Sequence, residues 1–262
     1  MTPLARGLHD CTVRAASLVV TIVLGSSAWA SAALGESFDK PLRQMVVDLG
    51  PSPSQDRRPD SHFRVRLSCS YYSAFMVKEL DDDGLKGTRW VTIVPVPDGH
   101  KPACRRSPGP TDRFIAKEWW SFIGVKGSLL FLEAADGDEN SGMPFRVLDL
   151  KTGKKIYEDS AWWDDHLEFA LTPDGKMCLS YLRVAGEDCS IPKDGTSCWN
   201  KLREKFELPP APAPKCTNYL GEQTLTTADI EARSVIAYPA TVVLFPRPLI
   251  KAVPGPVKCS QQ

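Results

Sequence analysis

The feature that most constrains this fold is a pair of glycine-containing turns within residues 129–184. Residues 149–154 read DLKTGK and include Gly153, and residues 172–176 read TPDGK and include Gly175. Each turn separates two runs of strand-forming residues. Because glycine adopts the positive φ that a tight reversal requires, each turn predicts an antiparallel hairpin.

The flanking segments alternate with the period of a strand. Leu167, Phe169 and Leu171 share one face, and residues 177–184 are apolar on both faces, which favours a central strand. Residues 63–69 (FRVRLSC) alternate in the same way. The chain is therefore expected to be all-β and mainly antiparallel.

A weak internal repeat accompanies these strands. Asp-Gly pairs begin at positions 98, 136 and 174, each 38 residues after the last, and tryptophans stand upstream of each pair: Trp90, Trp119 with Trp120, and Trp162 with Trp163. A period near 40 with recurrent aromatics is typical of β-propeller blades.

Two segments carry a resemblance to known proteins. VLDLKTGKKIYEDS followed by LEFALTPDGKMCLSYLRV resembles the blade consensus of periplasmic β-propeller repeat proteins, and residues 68–159 are similar to exported bacterial proteins of no known function. The resemblance implies propeller-like stacked hairpins. A β-sandwich is the alternative fold.

The last third of the chain has a different pattern. Trp199, Leu202 and Phe206 are spaced by three and four residues, which predicts one short amphipathic helix over 198–208. Prolines follow it, and residues 230–245 and 249–257 read as two further strands, confined by their prolines to edges or loops.

The amino terminus has the three-part pattern of a signal peptide. Arg6 and Arg14 precede an apolar run over 15–24, and small residues surround Ala30. Cleavage is expected after Ala30, or alternatively after Ala33; the other interpretation is a terminal helix that stays attached. The run is shorter than the roughly 20 residues of a membrane anchor, so no transmembrane anchor is expected after cleavage.

This organisation predicts a signal peptide at 1–30, an irregular linker or arm at 31–61 and a single β-rich domain at 62–262. Residues 45–49 could add one edge strand to that domain. The expected location is periplasmic or secreted. Formal charge over the whole chain is zero, which argues against a nucleic-acid partner.

The cysteines are expected to form disulfides in an oxidising compartment. Of eight cysteines, seven follow residue 30, and no C-x-x-C pair is present among them. Cys69 with Cys104 is the favoured pairing, and Cys178, in the most strand-like segment, is expected to be the free thiol. Two more bridges of open connectivity would join the remaining four: Cys189, Cys198, Cys216 and Cys259.

One loop has calcium-ligand types at alternate positions. Asp136, Asp138 and Asn140 could converge on a hard cation, but Ser141 and Val147 stand where an EF-hand loop has glycine and glutamate. A plain polar hairpin loop is the favoured interpretation. No cofactor is therefore expected, with calcium as the one alternative.

Asp164, Asp165 and His166 have the side-chain types of acid–base catalysis. Adjacent strand residues point to opposite faces, so convergence would require a bend, and a polar surface is favoured. The tryptophan pairs at 119–120 and 162–163 offer one inward and one outward ring each; packing is favoured over sugar binding.

Motifs of metalloproteases, α/β-hydrolases, P-loop proteins and dinucleotide-binding proteins are missing from the sequence. Whether the chain is an enzyme stays open, with a non-enzymatic role favoured. The expected function is a binding or structural module of the periplasm or cell envelope, with an unknown protein or glycan as its ligand. The alternative is a carbohydrate-active or other hydrolase that uses carboxylates.

Overall fold

A computed structural model describes residues 37–53, 62–96, 101–135, 142–162, 166–172, 174–218 and 220–261. The chain is mainly antiparallel β, with 49% strand against 10% helix, in two open sheets that are consistent with a β-sandwich. The smaller sheet is a five-stranded meander in sequence order. Its strands are β1 (Arg43–Pro51), β2 (Arg64–Tyr71), β3 (Phe75–Asp82), β4 (Thr88–Pro95) and β5 (Arg113–Lys117).

The larger sheet has nine strands in the order β13-β12-β11-β9-β8-β7-β6, with β10 paired to β11 and β14 paired to β12. Its members are β6 (Trp120–Lys126), β7 (Leu129–Ala134), β8 (Met143–Asp149), β9 (Lys155–Ala161), β10 (Glu168–Leu171), β11 (Met177–Gly186), β12 (Ser234–Val243), β13 (Leu249–Ala252) and β14 (Lys258–Gln261).

The larger sheet curls around its own core. Phe131 on β7 and Phe169 on β10 meet edge to face with their ring centroids 5.2 Å apart, and Phe38 contacts both rings. β10 and β9 pair with the same edge of β11, and the register of the strands offsets the two phenylalanine positions by eight residues along the strand direction. In a flat sheet that offset alone would separate them by roughly 26 Å. The sheet therefore bends strongly, as twisted sheets of many strands do.

The two sheets pack against each other through aliphatic side chains. Val77, Val91 and Ile93 of the smaller sheet meet Leu130 and Leu132 of β7 in one buried cluster. The opposite face of the smaller sheet holds a separate core that includes Leu67, Cys69, Met76 and Leu80.

Three helices lie in the last third: α1 (Ile191–Asp194), α2 (Thr196–Lys205) and α3 (Thr227–Glu231). The helix predicted over 198–208 corresponds to α2, which buries Cys198, Trp199 and Leu202 against β11 and β12. The expectation of only one helix is wrong, since α1 and α3 are two further short helices.

Three disulfides join described residues, and they indicate an oxidising, extracytoplasmic location. Cys69 pairs with Cys104, the pair that the sequence favoured; the others are Cys189–Cys198 and Cys216–Cys259. Cys178 is also disulfide-bonded, so the prediction of a free thiol there is wrong.

The propeller-like arrangement is not found in the described part of the chain. The two hairpins that resembled blade units, β8–β9 and β10–β11, lie in one continuous sheet, linked where Ala161 pairs with Arg183. Separate blades would need separate small sheets. The alternative, a sandwich of two sheets, is the one that the fold is consistent with.

The segment 31–61 is not wholly irregular, because β1 is an edge strand paired with β2 from Arg43 to Pro51. Among the helices that the structure describes, none has the length and apolar character to cross a bilayer.

Candidate functional site

The candidate site begins at the end of the β3–β4 hairpin. Leu80 pairs with Trp90, while Asp81 pairs with Thr88, so Arg89 is an extra residue in a β-bulge. The bulge directs the Arg89 guanidinium to the buried Asp82, whose Oδ2 accepts from Nε at 2.8 Å and from Nη2 at 2.5 Å. Although burial opposes it, hydrogen bonds from Ser52 and Arg89 hold the pKa of Asp82 below its usual range.

A loop of residues 101–112, the tethered loop, lies over this hairpin. The Cys69–Cys104 disulfide fixes its middle, and the Tyr71 hydroxyl donates to the carbonyl of Pro102 at 3.0 Å. Lys78 anchors the second half of the tethered loop. The side chain of Lys78 is 3% exposed; Nζ donates to the carbonyl of Arg105 at 3.4 Å and forms an ion pair with Asp112, which is 4% exposed.

The hairpin and the tethered loop line an open cleft of about 560 Å³, which we call the Trp90 cleft. Its lining combines apolar and aromatic side chains with charged ones: Leu80, Leu85, Arg89, Trp90, Arg106, Ser107, Pro108 and Glu118. Arg106 and Glu118 are exposed and make no hydrogen bond or ion pair with any residue that the structure describes. Two charged groups at a cleft are thus free to bind a ligand.

The rim of the Trp90 cleft has a strained backbone. Glu118 and Trp119 have φ of +42° and +67°, in the left-handed region that bulky residues rarely adopt. Neighbouring groups hold them there: Ala135 N–H donates to the Trp119 carbonyl at 2.7 Å, and a Cβ on Gly87 would approach the Trp119 backbone to 2.9 Å. Such strain, fixed by its surroundings, is common at binding and catalytic sites.

A second cavity, of about 420 Å³, lies where β9 and β11 separate. Their ladder contains a single register pair, Arg183 with Ala161, and beyond it Asp159, Ser160 and Val184 line the gap. Asp159 Oδ2 accepts from the hydroxyls of Tyr157 and Tyr181, each at 2.6 Å, and from Arg183 Nε at 2.8 Å.

The polar groups of this network are already engaged in hydrogen bonds with one another. Burial, followed by the charge of Asp159, raises the pKa of Tyr157 and Tyr181 above the ordinary tyrosine range, so both hydroxyls stay protonated donors. Arg183 Nη1 also donates to the Tyr238 hydroxyl at 2.9 Å. Its partners make Asp159 a structural clamp across the gap rather than an available acid or base.

Two other carboxyls have perturbed acidity. Burial raises the pKa of Glu79 to about 7, and burial also raises the pKa of Glu133. Glu79 Oε1 accepts from the Phe122 backbone N–H at 2.9 Å. Strand alternation places Glu79 on the face of β3 opposite Leu80, so it points toward the larger sheet and does not line the Trp90 cleft.

Of the residues proposed from the sequence for catalysis or calcium binding, the structure describes His166 alone. His166 is exposed, while Asp164 and Asp165 lie outside the described residues, as do Asp136, Asp138 and Asn140. Within the described ranges no group of three His, Cys, Asp or Glu side chains could hold a metal ion.

The tryptophan pair at 119–120 has one exposed and one packed ring, as expected. Trp119 is 50% exposed, and Trp120 packs beside the inter-sheet core with Arg146 3.8 Å above its ring. Of the second pair, Trp162 is half-buried beside Lys258, and Trp163 lies outside the described residues.

Sequence reasoning missed Arg89, Arg106 and Glu118, and used Trp90 only as a marker of the repeat. One signal could have found Arg106. The favoured Cys69–Cys104 pairing carries the two arginines after Cys104 to the neighbourhood of β2 and β3.

Comparison with known proteins returned no matching family model, no similar curated protein and no similar solved structure.

Proposed function

We propose that this protein is a non-catalytic binding module of the periplasm or cell envelope, and that it binds a glycan in the Trp90 cleft. The observation that carries the proposal is the preformed cleft itself, whose lining includes the Trp90 ring together with Arg106 and Glu118, two charged groups without partners in the described structure. Ligand sites commonly combine an apolar floor with a few convergent polar groups in a volume of roughly 300–1,000 Å³.

Binding without reaction suits this lining better than hydrolysis. Glycoside hydrolases generally place two carboxyl groups across the scissile bond. Among the lining residues that the structure describes, Glu118 is the one carboxylate, and the buried Asp82 beside the cleft is engaged by Arg89.

The test is a binding screen with the purified, disulfide-bonded protein. A panel of bacterial envelope oligosaccharides is screened on an array, and hits are measured by calorimetry. Trp90→Leu keeps an apolar side chain over the core but removes the aromatic platform, and we expect it to weaken binding about tenfold, the equivalent of roughly 1.4 kcal/mol.

Trp162→Leu is the matched control, because Trp162 is half-buried beside Lys258 and does not line the cleft. It should bind as the wild type does. The proposal is wrong if no saccharide binds, or if Trp90→Leu with an unchanged unfolding midpoint binds as tightly as the wild type.

A further inference from the structure

The exposed charge of the tethered loop is entirely basic. Lys101, Arg105 and Arg106 are exposed, and Asp112, the loop's one carboxylate, is buried in its ion pair with Lys78. The whole chain carries a formal net charge of zero. The positive loop is therefore a local feature of the cleft rather than a reflection of a basic protein.

Arg106 is also held in place before any ligand arrives. Lys78 Nζ donates a hydrogen bond to the backbone carbonyl of the neighbouring Arg105 at 3.4 Å, and a disulfide joins Cys104 to Cys69 on β2. Because the backbone on its amino-terminal side is anchored at two points, less conformational entropy is lost when the guanidinium engages a ligand. A planar guanidinium matches a carboxylate with two parallel hydrogen bonds.

Arg89 adds a second, partly engaged guanidinium. It uses Nε and Nη2 on Asp82 and is 29% exposed. A guanidinium has five N–H donors, so Arg89, which lines the cleft, has donors beyond the two that Asp82 engages. Glu118, in contrast, can only accept hydrogen bonds when ionised, which suits hydroxyl groups and repels a densely charged polyanion.

We propose that the Trp90 cleft binds a carboxylated saccharide, of the uronic-acid class. A sugar ring lies on Trp90, its carboxylate pairs with Arg106, and its hydroxyls donate to Glu118. This inference rests on the proposed glycan-binding function and adds the charge of the ligand. Polyphosphate has no hydroxyl groups to donate to Glu118, and its dense negative charge would be repelled by that carboxylate.

The experiment compares two probes that share a saccharide backbone and differ at their carboxyl groups: tetragalacturonate and its fully methyl-esterified, uncharged form. Calorimetry is performed with the wild-type protein and with Arg106→Gln. We expect the wild type to bind the acid at least about tenfold more tightly than the ester. Arg106→Gln should lose that preference while its affinity for the ester stays within about twofold of the wild type.

Arg247→Gln is the matched control, since Arg247 is exposed, unpaired in the described structure and absent from the cleft lining. It should keep the preference for the acid. Equal binding of acid and ester that still depends on Trp90 would overturn the carboxylate inference and leave glycan binding intact. Binding of neither probe nor of any other saccharide would overturn both, and tighter binding of polyphosphate or of a poly-glutamate peptide than of tetragalacturonate would show the wrong ligand class.

Discussion

Burial changes the acid–base chemistry of Glu79. Its side chain points from β3 into the space between the two sheets, where desolvation raises its pKa to about 7. The Phe122 N–H opposes this shift, and the charges of Asp81 and Glu133 add to it. The folded protein therefore binds a proton at Glu79 more tightly than the unfolded chain, in which glutamate has an ordinary pKa near 4.5.

This linkage predicts that the protein loses stability as pH rises. The stabilising contribution of protonated Glu79 is fully present below about pH 4.5 and is lost as pH rises through about 7. Glu79→Gln keeps the acceptor for Phe122 but cannot ionise. We expect it to raise the free energy of unfolding at pH 8 by on the order of 1–3 kcal/mol and to flatten the decline between pH 4.5 and 7.

Urea denaturation at a series of pH values measures this effect. Glu168→Gln, at an exposed position on β10, is the control and should leave the decline unchanged. If Glu79→Gln were no more stable than the wild type at pH 8, the buried position of this carboxyl would be contradicted.

Within single elements, the sequence correctly predicted the turns, because neighbouring residues determine them. Gly153 adopts φ +71° and Gly175 φ +76°, and Asp149 Oδ1 accepts from the Thr152 N–H at 2.6 Å, so both turns could be read from adjacent residues. The gap between β9 and β11 could not be predicted from adjacent residues. It depends on the contact of Asp159 with Arg183, which are distant in sequence and unmarked by any local pattern.

The Asp159 clamp predicts a stability effect that depends on burial. Asp159→Asn leaves Arg183 without its charge partner and weakens the bonds from two tyrosine hydroxyls, because a neutral amide oxygen is a poorer acceptor than a carboxylate. Because the Asp159 and Arg183 side chains are only 12% and 27% exposed, we expect a loss of roughly 2–4 kcal/mol in the free energy of unfolding.

Asp48→Asn provides the comparison, since it breaks another Asp–Arg pair. The Asp48 and Arg64 side chains are 53% and 41% exposed, so the loss should be much smaller than that of Asp159→Asn, because solvent screens an exposed ion pair. Both values come from chemical denaturation at pH 7. Equal losses in the two variants would show that the Asp159 network does not hold β9 and β11 together.

Across the whole molecule, strand content and the oxidised cysteines followed from the sequence, but the assembly of the hairpins did not. Strand–turn–strand periodicity is the same for a blade and for a hairpin within a continuous sheet. The two differ in long-range pairing, such as β11 with β12, whose partners Cys178 and Val243 are far apart in the chain. That is why the repeat near 38 residues pointed to a propeller.

The candidate site could not be predicted from the sequence either, because it too depends on contacts between residues that are far apart in the chain. Trp90, Arg106 and Glu118 come from β4, the tethered loop and the end of β5, and the buried Lys78 and the Cys69–Cys104 bond bring them together. Lys78 would have been read as a solvated residue of a strand. Its burial against Asp112 is a tertiary property that no local pattern reports.

The central claim is that the ligand lies on Trp90. An NMR titration that follows the indole N–H resonances of the protein, with tetragalacturonate and its methyl ester as ligands, tests this claim most directly. The Trp90 resonance is assigned as the one that is missing from the spectrum of Trp90→Leu. We predict that the Trp90 resonance shifts in step with saturation while that of Trp162 stays in place. Saturable shifts at Trp119 or Trp162 with an unmoved Trp90 signal would contradict the account.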